Sequence, residues 1–273
     1  MRFGIREICD VVLKAKSAVT IGTQSFVEGQ PVIYFDSLKT STMEGAATTV
    51  YAQGGRGNSR LVAWEGERTV TFTMEDALIS EMGIAVLTGA GLIKAEDAAI
   101  QVHTTSQYEL TNGTVTAEID ETINNSADAW ALILDGKGNV IETKTATISG
   151  QELTVTATDT ANAKAVIFDF YVTRTTGGMQ IEITPDKFAG NYYLEASTLF
   201  RDTDGVDHPA EFIIPNCKIQ SNFTFTMASS GDPSTFTFTM DAFPDYTKFD
   251  HSKKVLSVIQ VISDEPAPLA DAK

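Results

Sequence analysis

Thr69-Val-Thr-Phe-Thr-Met74, Asn222-Phe-Thr-Phe-Thr-Met227 and Thr235-Phe-Thr-Phe-Thr-Met240 are three copies of one short pattern. Each alternates with period two, and side chains two apart share one face of a strand. One face carries Val70, Phe72 and Met74, then Phe223, Phe225 and Met227, then Phe236, Phe238 and Met240. The other carries Thr69, Thr71 and Thr73, then Thr224 and Thr226, then Thr235, Thr237 and Thr239. The last two copies are joined by residues 228–234, where Gly231, Asp232 and Pro233 are turn formers, so 221–241 reads as a hairpin with a longish loop. The first copy closes a second hairpin, with a strand over 47–52, a loop over 53–59 and a long return over 60–74. Two such hairpins predict a four-stranded curved sheet with an oily face and a hydroxyl face.

Working outward, a helix is expected straight after the first copy. Thr73 is its N-cap, Glu75 and Asp76 supply negative charge to the first turn, and Leu78, Met82, Ala85 and Val86 follow at helical spacing. Gly89 is placed to end it, and Gly83 offers a bend. Residues 100–163 differ in texture, rich in Ser, Thr, Asn and Ala. Short strand candidates recur at 115–119, 130–134, 140–145 and 153–157, then at 165–172, with turns at Asn112-Gly113, 135–139 and Ser149-Gly150. This spacing predicts a small β-sandwich module of Ig-like type, with Trp130, Leu132 and Leu134 pointing into its core. The fold class is therefore mainly β. A core over residues 1–99 and 164–265 is interrupted by the module at 100–163 and followed by an extended tail at 266–273.

Fifteen Phe and seven Tyr in a Thr-rich chain suit pleated surfaces. The formal net charge of -16 excludes nucleic-acid binding by counter-ion release. It suits either simple solubility or a surface past which nucleic acid slides. Cys9 and Cys217 show no metal spacing and read as free thiols of a reducing cytosol. Arg6, Glu7 and Asp10 interrupt any apolar signal core, and no run reaches the roughly 18 apolar residues of a spanning helix, so a chain made in the cytosol without a membrane is expected.

Motifs for catalysis are missing: no nucleophile elbow, phosphate loop or zinc helix occurs. The glycines around Arg56 read as a hairpin tip, and His103, His208 and His251 are far apart in the chain. Asp202-Thr-Asp204-Gly-Val-Asp207 is the best candidate for a cation site, but it lacks a closing Glu and reads as an acidic hairpin turn. No catalytic, cofactor or metal residue is assigned. The threonine face has two readings: the wet side of an ordinary antiparallel sheet, or the lining of a channel from which long charged side chains are excluded. The pattern alone leaves both open.

Several stretches resemble the major tail (tube) proteins of tailed bacteriophages. They are Tyr34-Phe-Asp-Ser-Leu-Lys-Thr-Ser41, Gly45-Ala-Ala-Thr-Thr-Val-Tyr-Ala-Gln-Gly-Gly-Arg-Gly-Asn58, Leu61-Val-Ala-Trp-Glu-Gly-Glu-Arg-Thr-Val-Thr-Phe72, Glu75-Asp-Ala-Leu-Ile-Ser80, Pro185-Asp-Lys-Phe-Ala-Gly190 and residues 221–242. They flank the module and leave it uncovered. The resemblance implies a tail-tube β-sandwich or barrel core with one helix, and subunits that form stacked, usually hexameric rings around an inner β-barrel. It implies Thr toward the bore and Phe and Met outward, with the tips Gly54, Gly55, Arg56, Gly57, Asn58 and Ser230, Gly231, Asp232 meeting the adjacent ring. Implied partners are further copies, a tape-measure protein, a tail terminator and baseplate or tip proteins, with DNA passing unbound and a sheath protein only in a contractile tail. The rival reading is a carbohydrate-binding or adhesin-like module, which needs an aromatic platform; Tyr192, Tyr193 and Trp130 are the scattered candidates.

Overall fold

The computed structural model describes residues 2–21, 24–78, 80–89, 91–224, 229–230 and 235–262. Its contacts divide the chain into two units, Met1–Leu92 with Glu182–Lys273, and Ile93–Ile181. The chain begins with β1 (Phe3–Ile5), β2 (Asp10–Ala15), β3 (Val19–Ile21), β4 (Gln24–Phe26), β5 (Pro31–Phe35), β6 (Leu38–Gly54), β7 (Ser59–Asp76), α1 (Glu81–Thr88) and β8 (Gly91–Lys94). Next come β9 (Ile100–Glu109), β10 (Thr114–Glu118), β11 (Thr122–Ile123), β12 (Trp130–Leu134), β13 (Val140–Thr145), β14 (Thr147–Ser149), β15 (Glu152–Thr156) and β16 (Ala165–Arg174). The last strands are β17 (Met179–Glu182), β18 (Asn191–Asp202), β19 (Asp207–Ile219), β20 (Phe236–Ala242) and β21 (Val258–Val261).

In the first unit the main sheet runs β5-β2-β18-β19-β20-β7-β6, with β1 also on β18 and β21 also on β19. Alternate residues of its strands fill the core: Val11, Leu13 and Ala15 from β2, Leu194 and Ala196 from β18, Cys217 and Ile219 from β19. Phe72 and Met74 of β7 and Phe236, Phe238 and Met240 of β20 are buried with them, so these two copies of the repeat bury their apolar face. Val70 is half-buried. α1 buries Ala85, Val86 and Leu87. A Cβ on its Gly83 would stand 2.8 Å from Ser80 Oγ, so the glycine leaves room for the side chain that starts the helix.

Two expectations for this unit are corrected. The helix does not start from Thr73. β7 stays in the ladder through Asp76, paired with Phe236 on one side and Leu38 on the other, so those residues are held extended. Ser80 is the N-cap, its Oγ accepting from Gly83 N at 2.9 Å, and Leu78 is 68% exposed; Gly89 ends the helix at φ 66°. The second correction concerns the hairpin over 221–241. Its return strand is β20, but the strand that leads into it is β19, which pairs with β20 only from Cys217↔Ala242 to Ile219↔Met240. Asn222, Phe223 and Thr224 form no strand, and with Thr235, Phe236, Thr237 and Thr239 they line a cleft of about 180 Å³. Phe225, Thr226, Met227, Gly231 and Asp232 lie outside the described residues. The four-stranded surface is instead β19-β20-β7-β6.

The second unit is a β-sandwich. Its sheets are β10-β15-β14 and β11-β16-β12-β13, with β9 also on β16. Ala131, Ile133, Leu153, Val155, Val166, Phe168 and Phe170 are among its buried residues. Positive φ angles at Asn112, Gly113, Gly138 and Gly150 form its turns. The expected inward set on β12 is displaced by one residue: Ala131 and Ile133 point in, Trp130 is 45% exposed, and Leu134 is buried next to a register shift. A one-residue slip exchanges the faces of a strand, and Ala131 and Ile133 stand opposite buried Phe168 and Val166. The expected end at 163 is also short. β16 pairs with β9 along its whole length, Ala165↔Glu109 to Arg174↔Ile100, which carries the unit to Ile181.

Phe72, 1% exposed, anchors the arm strand to the core. Phe72→Ala is expected to lower stability by about 3–5 kcal/mol, whereas Thr71→Ser on the opposite face changes it by less than about 0.5 kcal/mol; urea unfolding of both variants reads the difference.

Candidate functional site

β6 and β7 pair from Leu38↔Asp76 to Gly54↔Ser59, but β20 accompanies β7 only over Thr71–Asp76. Beyond Thr71 the hairpin is a two-stranded ribbon, Gly45–Gly54 against Ser59–Val70. At about 3.3 Å per residue it projects roughly 30 Å. Residues 44–51 and 55–69 are all exposed, including Val50 (62%), Leu61 (65%) and Trp64 (55%). An isolated two-stranded hairpin is marginal in water, and a free strand edge is a template for another strand. Monomeric proteins protect such edges with charge or proline, and β6 has neither between Gly45 and Gly54.

The tip is a tight turn. Gly55, Gly57 and Asn58 have φ of 79°, 89° and 49°, and Asn58 N donates to Gly55 O at 3.2 Å. Gly54 and Arg56 complete this exposed end, and Ser230 is exposed on its own loop.

At the base of the arm the register assembles one polar face. Thr237, Thr239 and Asp241 of β20 stand opposite Glu75, Thr73 and Thr71 of β7, which stand opposite Thr40, Thr42 and Glu44 of β6. Thr71 Oγ1 donates to Asp241 Oδ1 at 3.3 Å. Thr69 and Thr237 are exposed, while Thr71, Thr73, Thr235 and Thr239 are half-buried. These nine facing residues are hydroxyls and carboxylates without a cation; Lys218 stands opposite Asp241 on the adjoining β19. Thr224 is exposed on its separate segment. Sequence reasoning found the threonines of β7 and β20. It missed Thr40, Thr42, Glu44, Glu75 and Asp241, although Thr40-Ser-Thr-Met-Glu44 carries the same alternation.

No other candidate gathers chemistry. Asp202 Oδ1 accepts from Asp204 N and Val206 N at 2.9 Å each, and its Oδ2 lies 2.9 Å from His208 Nε2. Asp207 takes Arg201 in a bidentate pair at 2.6 and 2.7 Å. The acidic run is thus a turn held by its own carboxylates, and among the described residues no group of three or more His, Cys, Asp or Glu is arranged for a metal. His103 pairs with Asp169 at 2.9 Å, and His251 stacks near Tyr246. Burial pushes the Cys217 thiol up to about 12 and raises that of Cys9, so both stay protonated. Tyr192 and Tyr193 are 2% and 3% exposed and present no platform. Trp130 is exposed beside Asp169, and Tyr171, two residues on, packs edge-on against His103 with centroids 5.6 Å apart.

A mainly β chain with a long exposed two-stranded arm has the form of a structural subunit. Residues 4–258 match the YomU/Tube protein family, and the chain belongs to that family of phage tail tube proteins, located in the virion tail. No curated protein matches it. Among the described residues no helix is long and apolar enough to cross a membrane.

The Asp202 turn yields a pH prediction. His208 first, then the turn amides, hold the Asp202 carboxyl below its ordinary 3.8. A depressed folded-state value contributes stability above 3.8 that is lost as pH falls through it. Asp202→Asn is expected to be less stable than wild type near neutrality, with the gap in urea midpoints closing as the solution is acidified below that value.

Proposed function

We propose that this chain self-assembles into stacked, hexameric rings in which arms of neighbouring copies pair edge to edge and close one inner β-barrel. The observation that carries this reading is the cation-free hydroxyl and carboxylate face of β20, β7 and β6, built on strands whose outer edge is left open. Closure by rotation satisfies every edge and yields a ring. Thr69, Thr71, Thr73, Thr235, Thr237 and Thr239 then face the bore. Phe72, Met74, Phe236, Phe238 and Met240 pack outward on the core, with Val70 on the same side. A lumen of neutral hydroxyls and fixed negative charge repels phosphates, so DNA passes without being held. The tips at Gly54–Asn58 and Ser230–Asp232 meet the next ring. The chain is non-catalytic and uses no cofactor. Its partners are its own copies, a tape-measure protein inside, a terminator and baseplate or tip proteins at the ends, and a sheath only in a contractile tail. Assembly takes place in the host cytoplasm.

Electron microscopy tests this. Wild-type chain is expected to form rings or tubes. A chain in which Asn-Gly joins Ala46 to Thr69 is expected to keep its melting transition and remain monomeric. Assembly of the shortened chain, or a wild type that stays monomeric at high concentration, contradicts the proposal.

The outer face of the second unit favours a secondary reading. Trp130, Tyr171 and His103 lie among Asp169, Thr105 and Thr145, a mixture of rings and polar groups suited to stacking on a sugar. If the module binds glycans, Trp130→Ala lowers retention on a panel of immobilised bacterial polysaccharides at least tenfold without changing assembly; equal retention by both proteins removes this reading.

A further inference from the structure

The first unit carries an open groove of about 510 Å³ beside β1 and β18, with Phe3, Ile5 and Leu199 as its apolar lining. Ile5 and Leu199 are left 65% and 43% exposed by the described residues. Three arginines, at 2, 6 and 201, stand around it with three carboxylates, Glu7, Asp202 and Asp207, so the lining has no net charge. Asp207 is taken up by Arg201, and Asp202 by His208. A recess of this kind suits an apolar, uncharged occupant better than an ion, and its volume lies within the roughly 300–1,000 Å³ that holds a small ligand or a short peptide.

The described chain runs out beside this groove. β21 pairs with β19 from Ile213↔Val258 to Ala210↔Val261, and Ile262 N donates to Pro209 O at 2.8 Å, which continues the ladder by one residue. Residues directly opposite in an antiparallel ladder share a face. Ile262 therefore lies on the face of Pro209 and, through the Pro209↔Leu199 pair, of Leu199. Ile262 is 53% exposed. Two strand spacings separate it from Leu199, about 10 Å. At this point β21 runs toward the Asp202–Asp207 end of β18 and β19, which borders the groove.

Residues 263–273, Ser-Asp-Glu-Pro-Ala-Pro-Leu-Ala-Asp-Ala-Lys, follow and lie outside the described residues. Leu269 is their one large apolar side chain, and the run Pro266–Ala270 around it is uncharged. At about 3.3 Å per residue, the chain from Ile262 to Leu269 spans up to roughly 23 Å, twice what the path to Leu199 requires. Pro266 and Pro268 each fix one backbone angle, so less freedom is lost when the segment is seated.

We infer that the segment after β21 folds back over its own sheet and seats Leu269, with Pro268 and Ala270 beside it, against Ile5 and Leu199 in the β1–β18 groove of the same chain. The ladder delivers the chain to this face and heads it toward this end of the groove. The reach suffices, and the neutral apolar lining matches the uncharged run. Among the described residues β1 pairs only with β18 and β21 only with β19. The seated segment clamps these two outlying strands together, and it makes the groove an internal contact of the subunit rather than a port for another protein.

The test needs no assembly and uses the full chain in its dissociated form. Leu199→Cys supplies a probe in the groove, since Cys9 and Cys217 are buried. Its reaction with a thiol reagent is expected to be at least tenfold slower than in a chain that also carries Leu269→Asp, and to stay so on dilution. Equal rates in the two chains overturn the inference. Protection that fades on dilution overturns it too, because the occupant is then another copy. Leu199→Cys trims the seat, so a second measurement leaves the seat intact. In methyl-labelled wild type, dilute enough to stay dissociated, nuclear Overhauser contacts are expected from Leu269 to Leu199 or Ile5; Leu269 methyls that contact neither also overturn the inference.

Discussion

A strand edge that cannot stay unpaired governs this molecule. Among the described residues β6 pairs only with β7 and ends the main sheet, and β7 loses the support of β20 beyond Thr71. What projects from there is two strands thick, exposed on both sides, and carries neither charge nor proline along the Gly45–Gly54 edge. A sheet with such an edge finds its stable state by adding strands. The buried Phe72, Met74, Phe236, Phe238 and Met240 fix where the arm begins, because their burial pins β7 and β20 in register on the core. The chain belongs to a tail tube family, and in the proposed assembly that edge is the joint between copies.

Charge and hydroxyls act on a second level. The face shared by β20, β7 and β6 pairs threonine with threonine at Thr239↔Thr73↔Thr42, with Glu75, Asp241 and Glu44 at its margins. Short neutral side chains leave a smooth surface, and fixed carboxylates add repulsion toward a polyanion. The Thr48–Gly66 bulge limits how far that face extends, since beyond it the same side is valine and tryptophan. One glycine thereby separates the polar half of the arm from its apolar half.

Much of this was legible in the sequence because it is written with period two. The Phe/Thr alternation located the buried strands β7 and β20, and glycine at 89 located the end of the helix. The failures share a cause: tertiary pairing outranked a local signal. Thr73 and Asp76 look like a helix start, yet ladder bonds on both sides hold them extended. Trp130 looks like a core residue, yet the small Ala131 is what fits against Phe168. A boundary at 163 gave the strand Ala165–Arg174 to the first unit, and only its partner, β9, reveals otherwise. β6 was read too short because its Thr40–Ala46 portion carries Met43 as its one large apolar residue and is mostly exposed in the single chain. The bulge opposite Thr48 has no sequence signal beyond Gly66 itself, and the pairing of β1 with β18 joins residues nearly two hundred positions apart.

The central claim is that the open edge of β6 is completed by another copy of the chain. Hydrogen exchange resolved to single amides, compared between dissociated and assembled protein, addresses it directly. Alternate amides of Gly45–Gly54, those pointing away from β7, are predicted to exchange rapidly in the dissociated chain and to become strongly protected on assembly. Assemblies in which these amides exchange as fast as in the free chain would contradict the account.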